Sequence, residues 1–224
     1  MGDSVGILDE QMNTSRAVIY RFLSQRFSHP DRALIELFNS ARLEEFLQAW
    51  CCLCLDSSED IDKVAGWLAK WPRQEAALLE LEKEYTRLFI TAYPRAVAPP
   101  YSSLYLDSER LIWGSSTAEV AKMYEATGLT MSESFHDIPD HIAAELEFAS
   151  YLIAEQLKGD EQGSPSTERL VSFEKRLLTE HLHKWAPAFF KQVAEYPTAT
   201  FYGMIAEVAS RFIVWDIAYI KYGT

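Results

Sequence analysis

The chain has 224 residues, 48% of them hydrophobic and 24% charged, with 33 acids against 21 Lys and Arg for a net charge of −12. That apolar fraction excludes intrinsic disorder, and a chain of this length buries enough surface to fold without a disulfide or metal staple. Nucleic acids and anionic membrane surfaces both need a basic footprint, so the charge argues against each as a partner and leaves basic partners open.

The start, MGDSVGILDEQ, carries acids where a secretory signal is basic, and no apolar run reaches the ~20 residues of a membrane span. Val18, Ile19, Phe22, Leu23 and Phe27 then form a helical stripe that stops at His29-Pro30. Asp31 is placed to cap a short helix running to Phe38. Leu43, Phe46, Leu47 and Trp50 continue at helical spacing, as do Ile61, Val64 and Leu68 before Trp71-Pro72. Cys51, Cys52 and Cys54 are too clustered for a disulfide framework. They point to a reducing, cytoplasmic compartment and are expected to act as small core hydrophobes.

Leu78, Leu81, Tyr85, Leu88 and Ala92 form the next stripe, with Phe89 widening it. Residues 93–107, YPRAVAPPYSSLYLD, hold three prolines but also Tyr93, Tyr101, Leu104 and Tyr105, which predicts an ordered loop pinned by aromatic side chains. A helix is expected from Ser115 to about Thr127, ending at Gly128. In DIPDHIAAELEF, Pro139 and Asp140 suit a first helical turn and Asp137 a cap upstream, with Ile142, Leu146, Ala149 and Ile153 following. KGDEQGSPS (residues 158–166) reads as a loop that could serve as a hinge for helix exchange. A helix from about Thr167 to Lys184 is expected to be interrupted or restarted at Pro187. Phe201, Ile205, Val208, Phe212, Trp215 and Tyr219 keep a 4-3-4-3-4 pattern in the last helix. The sum is an all-α bundle of about eight to ten helices, with residues 1–224 read as one domain.

Phosphate-cradling glycine loops and a GxSxG elbow are absent from the sequence. Ser102, Ser103 and His141 give no spacing that would bring a nucleophile to a base. Glu133-x-x-His136 and Glu180-x-x-His183 each match the pair motif of di-iron bundles, so a helical metal-binding protein or metalloenzyme using Glu180, His183 and His136 is one reading. His141 and Glu145, four apart on a helix, would face the same way, whereas His181 and His183 would not. The other reading is a groove for a peptide, built from Tyr85, Leu88, Phe89 and the PPYSSLY loop with acids at its rim.

EYTRLF (residues 84–89), PPYSSLY (99–105) and PDHIAAELEF (139–148), in this order and spacing, resemble the TorD/DmsD group of cytoplasmic redox-enzyme maturation chaperones, with NarJ-type proteins as more distant relatives. RFLSQRFSHP, HLHKWAPAFF and FYGMIAEVASRF extend the likeness over most of the chain. The resemblance implies a non-enzymatic, cofactor-free protein that binds the twin-arginine signal peptide and the apo form of a molybdenum-cofactor reductase of the DMSO reductase class. It would hold that client until the cofactor is inserted and so prevent premature export. It also implies a signal-peptide site at Tyr85, Leu88, Phe89, Pro100, Tyr101, Ser103, Tyr105, Pro139, Asp140 and His141. The oligomeric state is left open between a monomer and a dimer domain-swapped through the 158–166 loop. Ser102 and Asp137 depart from the group's usual residues, and the CCLC run has no counterpart in it.

Overall fold

The computed structural model describes residues 2–32, 34, 41–53, 66, 75–91, 96–130, 137–159 and 166–222. Among these the chain is all-α: α1 Gly2–Phe27, α2 Ala41–Cys52, α3 Glu75–Tyr85, α4 Ser103–Leu106, α5 Ser115–Ala126, α6 Ile142–Lys158, α7 Thr167–Arg176, α8 His183–Ala194 and α9 Phe201–Tyr222. Two π-helical turns, Thr86–Ile90 and Leu177–Leu182, extend α3 and join α7 to α8.

The stripes read from the sequence are the buried faces. Ile19, Phe22, Leu23 and Phe27 of α1 pack with Ile142, Leu146, Ala149 and Ile153 of α6 in one core cluster. α1 lies mainly along α6, and α8 along α9. Ser150 fixes the first pair by donating to the Ala17 carbonyl at 2.8 Å. The ring of Phe22 stacks on Phe46 of α2 with centroids 3.9 Å apart, and Phe27 lies 5.6 Å from Phe189 of α8. Such aromatic pairs each add about 1 kcal/mol beyond the area they bury.

Helix ends follow local chemistry. Asp31 Oδ1 accepts the Leu34 N–H at 2.9 Å, the cap expected there; residues 35–40 lie outside the described residues. Gly128, at φ +80°, ends α5: its N–H bonds the Glu125 carbonyl while Leu129 N–H bonds that of Tyr124, both at 3.0 Å. An L side chain is strained at that φ, so glycine is the natural residue. Ser166 caps α7 by accepting the Arg169 N–H.

Three expectations need correction. Pro139 and Asp140 do not begin α6; they lie in a turn closed by His141 N–H on the Ile138 carbonyl, and the helix starts at Ile142 with His141, extended and paired with Tyr101, as its cap. Pro187 does not break the chain into two helices but lies inside α8, just after the π turn. The carbonyl it leaves unserved belongs to the exposed His183, where water can take the missing donor's place. Cys51 is exposed and Cys52 half-buried, so neither is a core hydrophobe; Cys54 lies outside the described residues. The stripe at Ile61, Val64 and Leu68, Trp71-Pro72, Tyr93 and the centre of the expected hinge also lie outside them. No helix among the described residues is long and apolar enough to cross a membrane.

Candidate functional site

The three motif segments meet where the end of α3, the loop into α4 and the start of α6 come together. Each contributes a different chemistry, and backbone bonds set the frame. Ile142 N–H donates to the Pro100 carbonyl at 2.8 Å, and Ser102 N–H to the Asp140 carbonyl at 3.0 Å. This short antiparallel contact pairs Tyr101 with His141. Two orphan groups of a proline loop are thereby satisfied, which explains how a segment that cannot be helical is nevertheless ordered.

Asp140 is fully buried. Its Oδ2 accepts the Ser103 N–H at 2.9 Å and faces Ser102 Oγ at 3.4 Å. The same carboxylate thus serves the first turn of α4, where free N–H groups favour negative charge. Its other oxygen, Oδ1, is buried without a hydrogen-bond partner, as is Ser103 Oγ.

His141 is buried beside it. Its Nδ1 accepts the Ala143 N–H at 3.1 Å, capping α6. That acceptance places the ring proton on Nε2, which faces Tyr85 Oη at 3.5 Å and Asp137 Oδ2 at 3.8 Å. Burial lowers the His141 pKa to about 4, outweighing the opposite pull of Asp137 and Asp140, so the ring is neutral near pH 7. Tyr101 donates to Asp137 Oδ2 at 3.2 Å. Burial, reinforced by Asp137, holds the phenols of Tyr85 and Tyr101 well above their usual range. Tyr124 closes the floor by donating to the Pro139 carbonyl at 2.8 Å.

The apolar part lies on the π turn. Leu88 and Phe89 are buried, and the Phe89 ring packs 4.9 Å from Tyr85 and 5.1 Å from Tyr202. Ala98 N–H reaches the Leu88 carbonyl at 2.9 Å, tying the following loop back to the turn. Tyr105 stands half-buried with its ring 5.4 Å from Trp185 and its hydroxyl donating to Gln192. All ten residues anticipated from the sequence are therefore gathered around this junction or its immediate walls. Only Tyr101 and Tyr105 are even half-exposed; Tyr85, Leu88, Phe89, Pro100, Ser103, Pro139, Asp140 and His141 are buried.

Two supporting residues were not anticipated in these roles. Glu84 turns away from the loop and accepts from Thr200 N–H at 2.8 Å, Tyr202 N–H at 3.1 Å and Thr200 Oγ1 at 2.9 Å, capping α9 from another helix. Glu145 does not face a ligand beside His141. It accepts from Trp185 Nε1 at 3.0 Å and pairs with His181 at 2.7 Å. Burial raises the Glu145 pKa against the pull of His181; burial opposes charge on His181 as well, but Glu145 more than offsets it and raises its pKa. Glu84 precedes Tyr85 in the motif, yet a carboxylate on an apolar stripe is all the sequence shows of a cap 116 residues away.

Glu180 and His183 are exposed, while Glu133 and His136 lie outside the described residues. Among the described residues no group of three or more His, Cys, Asp or Glu side chains could hold a metal ion.

Comparison with known proteins places this all-α junction in a family. The family model described as nitrate reductase delta subunit matches residues 54–191, more than half of the chain. The chain belongs to that family, which takes in the TorD and NarJ chaperones. It is 27% identical over 209 residues to the chaperone protein TorD of Aliivibrio salmonicida, covering 93% of this chain and 95% of the relative. It is 27% identical over 211 residues to that of Vibrio cholerae, covering 92% and 91%. The TorD chaperone of Shewanella piezotolerans is 24% identical over 219 residues, covering 93% and 94%. A redox enzyme maturation protein from Archaeoglobus fulgidus, solved as a crystal structure, shares the fold with a TM-score of 0.55 at 24% identity, over 89% of this chain and 93% of that one.

Proposed function

We propose that this chaperone binds the twin-arginine leader and the apo form of a molybdenum-cofactor reductase of the DMSO reductase class. It acts in the cytoplasm, without a cofactor of its own and without catalysing a reaction, and holds the client back from export until cofactor insertion is complete. The observation that carries this reading is the meeting of three motif segments at Asp140 and His141: the 99–105 loop bonds the Asp140 carboxylate and Tyr85 faces the His141 ring. Asp140 has a buried oxygen with no partner, next to a loop held by a few backbone bonds. An incoming guanidinium would supply the donors that this oxygen lacks, through short charge-assisted bonds.

Asp140 and His141 are enclosed in this conformation, so contact with a leader requires the loop at residues 100–105 to move aside. That movement gives up the bonds from Ser102 N–H and Ser103 N–H to Asp140, which arginine and backbone donors of the peptide would replace, and the bond from Ile142 N–H to the Pro100 carbonyl, which a peptide carbonyl would replace. Tyr85, Leu88 and Phe89 are the wall against which the loop rests. The test is a pull-down with the leader of a molybdoenzyme encoded beside this chain's gene. Retention of that leader, weakening as salt rises, is the expected result. If the leader is not retained at low salt, the reading fails.

A further inference from the structure

The residues that the motif assigns to an apolar leader segment are in the core, so the exposed apolar surface must be sought elsewhere. It lies directly downstream of α4. Leu111, Ile112 and Trp113 are 58%, 50% and 67% exposed, three adjacent large hydrophobes in one loop. With Leu106 they line a surface cavity of about 560 Å³. The other side chains that give it character are Asp107 and Glu109. Arg110, directly after Glu109 in sequence, does not line it.

The loop is held in this form against local preference. Arg110 at φ +51° and Trp113 at φ +69° are the non-glycine residues with positive φ among those described. A bulky side chain is disfavoured in that region and persists where the surroundings impose it. The surroundings here are Asp107 and Gly114. Asp107 accepts from Ser115 Oγ at 2.9 Å and Ser116 Oγ at 3.1 Å, at the start of α5. A Cβ on Gly114 would fall 1.7 Å from Asp107 Oδ2, so only glycine allows the carboxylate that close. The loop is therefore clamped at both ends while its tip presents three apolar side chains to solvent.

We infer that the Leu111–Ile112–Trp113 loop is the docking surface for the apolar stretch of an arginine-bearing leader peptide. This rests on the chaperone reading above. The lining chooses the occupant: apolar surface with two acids and no cation suits an apolar segment flanked by basic residues. A membrane surface or an acidic segment would meet repulsion. The position agrees, since the segment that must move off Asp140 to admit a leader, starting at Ser103, runs within one helical turn to Leu106 on the cavity. A peptide whose arginines reach Asp140 can lay its following residues along this loop.

The experiment titrates the full chain, by calorimetry, with a synthetic peptide carrying an Arg-Arg pair followed by a run of about 12 Leu and Ala residues. A second peptide has the run replaced by Ser and Gly. The triple variant Leu111→Ser/Ile112→Ser/Trp113→Ser is expected to weaken binding of the first peptide at least about tenfold. Neither Trp113→Phe on the first peptide nor the triple variant on the second should change binding by more than about threefold. Glu109→Lys should weaken binding of the first peptide and flatten its salt dependence. The three side chains are exposed, so circular dichroism should be unchanged; if the triple variant misfolds, Ile112→Ser alone gives the same comparison. Equal binding of the first peptide by wild type and variant overturns this inference and leaves the chaperone reading standing. Failure of the wild type to bind either peptide overturns both. A wild-type dimer in sedimentation that the triple variant abolishes, with peptide binding unchanged, assigns the surface to a second copy and also overturns the inference.

Discussion

Asp140 and His141 are adjacent and both buried, and they are used in different ways. Asp140 is surrounded by donors on one oxygen only, whereas His141 is used through Nδ1 as an uncharged cap. Asp140→Asn keeps an acceptor for Ser103 N–H but removes the charge. It is expected to preserve stability while weakening leader binding about tenfold, and to flatten the salt dependence of that binding. Asp140→Ala also strands the Ser103 N–H and should lower stability by about 1–3 kcal/mol in urea unfolding. For His141 the folded pKa of about 4 lies below its usual 6.5. Between these values the unfolded chain binds a proton that the folded chain does not. The neutral ring's contribution is thus complete above about pH 6.5 and is lost by up to ~1 kcal/mol per pH unit down to about pH 4. The facing groups are Tyr85, Tyr101, Asp137 and Asp140. His141→Asn keeps a capping oxygen and removes the titration, so unfolding measured from pH 7 to 4 should show a shallower acid loss than wild type.

At the scale of elements, Glu84 ties the motif helix to the C-terminal helix. One carboxylate from the end of α3 satisfies three of the first donors of α9 and the Thr200 hydroxyl. Glu84→Ala should lower stability by about 1–2 kcal/mol, read as a lower urea midpoint with unchanged slope, and should raise hydrogen exchange in the first turn of α9. The π turn at Thr86–Ile90 begins directly after Glu84 and Tyr85 and holds Leu88 and Phe89 in the core. An α-helix continued at regular pitch would turn these side chains differently, so a single widened turn lets the end of α3 serve both the cap and the core. The helical spacing showed which residues are apolar here, but a five-residue change in winding leaves no mark on that spacing.

The whole molecule is tied at its far end by a buried ion network. Arg16 of α1 bonds Glu174 of α7 and Asp216 of α9, and reaches Asn13 at 2.8 Å. Tyr20 donates to Asp216 at 2.6 Å and Gln156 to Glu174 at 2.7 Å. The two carboxylates hold the Arg16 pKa above its usual range in spite of burial. Four helices depend on this one guanidinium, so Arg16→Met leaves two buried carboxylates uncompensated and should destabilise by about 3–5 kcal/mol in chemical unfolding. The triple variant Arg16→Met/Glu174→Leu/Asp216→Leu should recover much of that loss, since the charges themselves are what the single variant strands.

Local sequence settles that this chain is helical and where most of its helices stop. Both follow from residues near one another: the 3–4 spacing of apolar side chains, the Pro and Gly stops, and the side-chain cap at Asp31. That the three motif segments belong together was legible only as a resemblance to the family. Tertiary packing sets what the motif residues bond to. Asp140 read as a first-turn acid because the helix dipole favours one there, but the chain pairs with the 100–103 loop, α6 starts at Ile142 and the carboxylate is buried. Glu84, Glu145 and Arg16 gained their roles from partners 36 to 200 residues away. Buried polar groups must find partners wherever packing places them, and local sequence carries no record of which side chains those will be.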